Sequence, residues 1–416
     1  MKKILLLLLS LLPLQALMAQ PAVVADAALR SDVKSVELYC PGAELEFPVL
    51  TLGGSARLTL EFDVLGTQAE QLRWRLVHCD RYWRPDALEP SEFMNGFETG
   101  AVEGYDFSFT TLRDYVHYRT TLPDGFAEFV HSGNYAVLVS PDDAPDSLLL
   151  MRRFCVVEGG AKADVQLTRP YDGIDIERRQ EVDVLVLPQN PAVGDPQYLT
   201  VTVQQNGRTD NRRTLEFSGY DGAALAFRHR QANIFAAGNT FRYFDCSNLR
   251  AAIYNVLRVE DYGGEQFVML HPEEDRSRKH YLSETTLNGG MKVNIWDREN
   301  PDLEADYVWV NFSLPMAQPM LDGTVHIVGA LTDWQLDERS AMEYNPRYRA
   351  YTKRLLLKQG YYAYQLLVKR GGAGEGETRQ LEGDHREMPN RYTVAVYQHG
   401  PADRADRLLT IVSVGR

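Results

Sequence analysis

Apolar and polar residues alternate along "RLTLEFDVLG" and "LRWRLVHC", and comparable runs recur to the end of the chain. They include "NYAVLVS", "RRFCVVEG", "EVDVLVLPQN", "YLTVTVQQNG", "TFRYFD", "DYVWVNFSLP", "GTVHIVGA", "YYAYQLLVKR", "RYTVAVYQ" and "LLTIVSV". A period of two places every second side chain on the same face of a strand, so each run predicts a strand with one buried face. Gly, Pro, Asp and Asn fill the intervals. Short strands at this spacing predict β-sandwiches. No long amphipathic helix stands out, although "EPSEFMNGF" suits a helical turn. A transmembrane barrel needs strands of about 9–11 residues with a continuous lipid-facing side, and runs such as "YLTVTVQQNG" are too short or irregular for that.

The chain has 416 residues, enough for several domains of roughly 100–200 residues each. Lys2 and Lys3 precede the apolar run "ILLLLLSLLPL", and "QALMAQ" offers a small-residue cleavage site after Ala19. This is the pattern of a secretory signal peptide over residues 1–19. Breaks near "VEGGAKADVQ" and "WDRENPDLEADY" then divide the remainder. The expectation is an all-β chain of three tandem immunoglobulin-like or early-set sandwiches at 20–158, 159–300 and 301–416. The Gly-rich "RGGAGEGETRQLEGD" reads as a flexible hairpin loop, because it lacks a phosphate-loop GK[ST] and its acids would repel phosphate.

Charge narrows the function. With 44 Lys and Arg against 57 Asp and Glu, the formal net charge is −13, more negative still once Lys2 and Lys3 leave. Nucleic acid and anionic membrane surfaces both demand clustered basic residues. Other proteins or neutral ligands remain as partners. The four cysteines at 40, 79, 155 and 246 form no CxxC and no paired metal-ligand spacing. Large cores make a disulfide framework unnecessary, so free buried thiols are expected.

His78 and Cys79 invite a thiol-nucleophile reading. Strand geometry opposes it: Leu72, Trp74, Leu76 and His78 share one face, and Cys79 points to the other. Adjacent strand residues cannot form the thiolate–imidazolium contact that such a nucleophile requires. The following "YWRPDALEPSEF" contains two prolines and reads as a loop pinned to the sheet by Trp83 and Phe93. Loops on rigid scaffolds often carry binding, which makes Tyr82, Trp83, Arg84, Phe93 and Phe97 the candidate partner-interface residues. "VHIVGALTDWQ" and "GYYAYQ" are similar to early-set sandwiches that include starch- and glycogen-binding modules. There Trp334 is the candidate glycan contact of an alternative reading, in which the chain is an exported carbohydrate-binding protein. The competing view is that Trp334 and the tyrosines pack the sandwich. No G-x-S-x-G, HExxH or EF-hand loop is present, so no catalytic, cofactor or metal residue is assigned.

"RWRLVHCDRYWRPDALEPSEFMNGF", "YDFSFTTLRDYVHYRTTLP", "SGNYAVLV" and "RRFCVVE" together resemble the N-terminal domain of the type IX secretion system plug proteins of Bacteroidota. The likeness continues through "QNGRTDN", "NTFRYFD", "ADYVWVNFSLP" and "GALTDWQ". It departs at Ala236 and Ala237, where the family pattern has a Pro-Gly-Gly turn. The resemblance implies a non-enzymatic periplasmic subunit with no cofactor and no small-molecule substrate. Its partner would be the giant outer-membrane translocon barrel (SprA/Sov), its membrane association would run through that barrel alone, and its task would be to seal the periplasmic mouth in the absence of cargo.

Overall fold

Three apolar cores organise the strands of the computed structural model, which describes residues 23–125, 127–190 and 193–415. The expected signal peptide lies outside the described residues. Among the described residues nearly all the regular structure is strand, as the alternation predicts, and the α-helices are single turns at Pro90–Phe93 and Pro301–Glu304. No helix among the described residues is long and apolar enough to cross a membrane.

The first sandwich occupies residues 24–157. One sheet orders Ala27–Ala28, Leu150–Val157, Gly133–Pro141, Leu72–Cys79 and Thr99–Ala101, with Val49–Thr51 parallel to Leu150–Val157. The facing sheet orders Val33–Tyr39, Leu58–Leu65, Tyr115–Leu122 and Gly104–Phe107. Alternation decides what each strand contributes: Leu72, Trp74 and Leu76 enter the core, while Arg73 and Arg75 stay exposed. Phe62 and Tyr118 stack inside at 5.1 Å between ring centroids. Trp74 leaves no room at Gly100, where a Cβ would lie 2.4 Å from the indole. Each large side chain buried this way stabilises the fold by about 1.5–3 kcal/mol relative to exposure.

The other two sandwiches are not in tandem. Strand Leu199–Gln205 pairs with Arg391–Gln398, which pairs in turn with Arg407–Gly415. The facing sheet holds Ala161–Thr168, Arg179–Pro188, Ala224–Phe227 and Gly219–Asp221. Val182, Val184, Val201, Val203, Tyr392, Val394, Val396 and Leu409 share one core. The C-terminal strands therefore complete the middle sandwich, and the third sandwich is inserted between Ile234–Ala236 and Arg391–Gln398.

One expectation is corrected here. The boundary at 300/301 fails because Phe267 and Val268 of strand Glu265–Leu270 pair in parallel with Trp309 and Val310 of Tyr307–Pro315. The insert starts at Arg242–Asp245, which pairs with Gly360–Arg370, and its core runs from Phe244 to Leu381. The Gly-rich segment after Arg370 closes a hairpin loop, as expected, with Val368 and Glu377 exchanging two backbone hydrogen bonds at 2.9 Å, and the chain beyond it leads to the middle sandwich. That return crossing is anchored by the fully buried Glu382, which pairs with Arg242 at 2.9 Å and with Arg276. Burial alone would raise the Glu382 carboxyl pKa, but the two guanidinium groups hold it below its ordinary range.

Candidate interaction surface

The loop after strand Leu72–Cys79 is built from its own side chains. Asp80 Oδ1 accepts the backbone N–H groups of Tyr82 and Arg84 at 2.8 and 2.9 Å, and the Asp80 carbonyl accepts that of Trp83. This tight turn puts Trp83 at φ +65°, a conformation uncommon for a bulky residue. Further on, His78 Nδ1 lies 2.5 Å from Asp86 Oδ2 and its Nε2 lies 3.2 Å from the Ser132 carbonyl. Glu89 and Glu92 form a capping box around the turn Pro90–Phe93.

These contacts dispose of thiol catalysis at this position. His78 is committed to Asp86, and Cys79 faces a small cluster with Ala27, Ala136 and Met151 on the opposite side of the strand. Burial, aided by Asp86 and Asp80, pushes the Cys79 thiol far above its usual range, away from the thiolate. All four cysteines are unbridged; Cys79, Cys155 and Cys246 are buried and Cys40 is half-buried. Ser132 adds no triad, since it meets His78 through its carbonyl and its hydroxyl bonds Glu158 at 2.7 Å.

The five loop candidates divide. Phe93 is buried in the first core against His78 and Tyr135. Trp83 is buried between sandwiches, in a cluster with Cys155 of the first and Ala395, Tyr397 and Leu408 of the middle one. Tyr82, Arg84 and Phe97 are exposed, and Phe97 most fully at 81%. Arg84 lies over the Tyr82 ring at 5.7 Å. The loop is also clamped to the middle sandwich: the Arg81 backbone N–H donates to Asp406 Oδ2 at 2.7 Å, and the Arg81 side chain pairs with the same carboxylate. Trp334, the candidate glycan contact, sits half-buried at another joint. Cβ atoms at Gly207 and at Gly289 would each lie 2.2 Å from its indole, so its faces already pack against two segments and Phe241.

Trp83 and Trp334 line the same cleft of about 870 Å³, where all three sandwiches meet. Two ion pairs lie in its walls. Arg152 Nη2 meets Asp333 Oδ1 at 2.7 Å, joining the first sandwich to the insert, and Arg153 meets Asp26 at 2.8 Å while lying 4.8 Å from the Trp83 ring centroid. Burial would raise the Asp26 pKa, but Arg153 and Arg152 bring it below the ordinary value. Sequence reasoning missed Arg152, Arg153, Asp333 and Asp406. A signal existed for the arginines: two adjacent charges inside the strand "LMRRFCVV" must both find partners once the strand is covered on both faces.

Comparison with known proteins follows the same division of the chain. Residues 33–158 match the family model described as type 9 secretion system plug protein 1st domain. A crystal structure of a hypothetical protein from Parabacteroides merdae is 29% identical and superposes with a TM-score of 0.91, covering 95% of this chain and 100% of that one. No curated protein matches the chain.

Proposed function

We propose that this chain, whose residues 33–158 match the type 9 secretion system plug protein 1st domain, docks on the giant outer-membrane translocon barrel and seals its periplasmic opening when no cargo is bound. The family gives it a role in type IX secretion, a place in the cell envelope and a partner within the secretion apparatus. The match over the first sandwich carries the finer reading. The joints support it. A steric seal has to resist deformation, and Trp83, Arg152–Asp333 and Arg81–Asp406 tie the sandwiches together with buried and half-buried side chains. The exposed Tyr82, Arg84 and Phe97 of that sandwich offer the aromatic and guanidinium groups that interfaces favour. Reversible sealing needs only moderate affinity, so an interface of modest area suffices.

The test is co-purification. Tagged protein extracted gently from outer membranes is expected to bring down a very large barrel protein. Repeated recovery of the chain alone would overturn the proposal.

A further inference from the structure

Strand Arg179–Pro188 gives its valines to the core of the middle sandwich, so Glu181 and Asp183 share the opposite face. Both are nonetheless buried: Glu181 completely, Asp183 to 8% exposure. Among the described residues no Lys or Arg pairs with either. Their one ion-pair partner is the exposed His229, whose Nδ1 lies 2.9 Å from Glu181 Oε1 and 3.9 Å from Asp183 Oδ2. Two buried carboxylates facing one imidazole leave a deficit of positive charge, which burial makes costly.

The deficit has a location. Asp183 Oδ2 accepts the Thr168 hydroxyl at 3.2 Å, whereas its Oδ1 is buried with no hydrogen-bond partner. Glu181 is held in place by backbone N–H groups, from Tyr171 at 2.6 Å and from His229 at 3.2 Å. One ligand atom from each of Glu181, Asp183 and His229 lies within 4.8 Å of the other two. A metal ion bound at about 2.0–2.2 Å from oxygen and nitrogen would sit among atoms spaced this way after small side-chain rotations.

We propose that Glu181, Asp183 and His229 form a binding site for a divalent transition-metal ion such as Zn²⁺. Two carboxylates and an imidazole suit such an ion better than Mg²⁺ or Ca²⁺, which prefer all-oxygen shells. The exposed His229 leaves a path for entry and room for water to complete the coordination. Nothing in the sequence announced the site, because His229 is distant in the chain from the carboxylate pair and no ligand spacing repeats. The bound ion would tie the segment at Tyr171 and the turn at His229 to the central strand, bracing the sandwich into which the third is inserted.

The experiment is calorimetric titration of the full chain, stripped of metal with a chelator, using Zn²⁺ alone. Saturable binding at one site is expected, with a rise in Tm on adding the metal. His229→Ala, which changes an exposed residue, should weaken binding by about tenfold or more and abolish that rise, and Asp183→Asn should do the same. Absence of saturable binding by the wild-type chain would overturn the proposal. Unchanged binding in His229→Ala would also overturn it, even if Asp183→Asn failed to fold.

Discussion

Lys358 Nζ of the inserted sandwich lies 2.6 Å from Asp63 Oδ2 of the first, and both side chains are almost completely buried. Asp63 also accepts the Tyr307 hydroxyl at 2.6 Å and faces His117 Nδ1 at 2.7 Å. Lys358 donates a second bond to the Asp302 carbonyl at 2.7 Å and lies 4.3 Å from the Tyr115 ring centroid. The two sandwiches are thus joined by a charge pair whose remaining valences are satisfied, the condition under which a buried pair holds rather than strains a joint.

Removing one partner strands the other. Lys358→Met is expected to lower unfolding stability by about 3–5 kcal/mol, measured by urea denaturation. The double variant Lys358→Met, Asp63→Leu should cost less than the sum of its single changes, because no buried charge is left unpaired. Additive losses would show that the two groups do not interact.

Glu37 lies close to this pair. Burial, then the charges of Glu61 and Asp302, raise its pKa from 4.5 to about 7. Between those values the unfolded chain ionises Glu37 while the folded chain still holds the proton, so stability falls as pH rises from about 4.5 to 7. Glu37→Gln should match the wild type at pH 4 and exceed it at pH 8 by about 3 kcal/mol. Denaturant midpoints across that range would reveal the divergence, and parallel curves would refute it.

The thiols provide a test of burial. Burial raises the Cys155 and Cys246 thiols to about 12 and Cys79 higher still. An aromatic disulfide reagent should therefore titrate Cys40 first in the native chain and all four thiols only after denaturation. Rapid native labelling of Cys79 would reopen the nucleophile reading.

Trp334 is held between Gly207 and Gly289, so crowding should disturb the joint. Gly207→Ala is expected to lower stability by about 1–3 kcal/mol, the usual cost of overpacking, and to lower Tm. Trp334→Ala should also lower Tm. Retardation of the wild type on an α-glucan gel, lost in Trp334→Ala without a fall in Tm, would favour the carbohydrate-binding alternative.

Two neighbouring aromatics of the first sandwich should separate surface from scaffold. Phe97→Ala is expected to leave thermal unfolding unchanged while reducing recovery of the translocon barrel. Trp83→Ala should lower stability by about 3–5 kcal/mol, since it empties the cluster shared with Tyr397 and Leu408. Equal effects of the two variants on melting would remove the distinction.

The sequence by itself determined the strands and their faces. Leu72, Trp74 and Leu76 had to lie together, and His78 had to point away from Cys79, because side-chain alternation is a property of the local backbone. It also carried the likeness over the first sandwich, whose pairings close within one continuous stretch. The tertiary structure alone decided that Arg391–Gln398 returns to Leu199–Gln205. Strands with apolar faces read alike wherever they pair, and which two meet depends on how distant cores fill. For the same reason only the fold could show that Trp83 and Trp334 serve joints, or that Glu181, Asp183 and His229 converge. Contacts between sandwiches join residues far apart in the chain, and no local period records them.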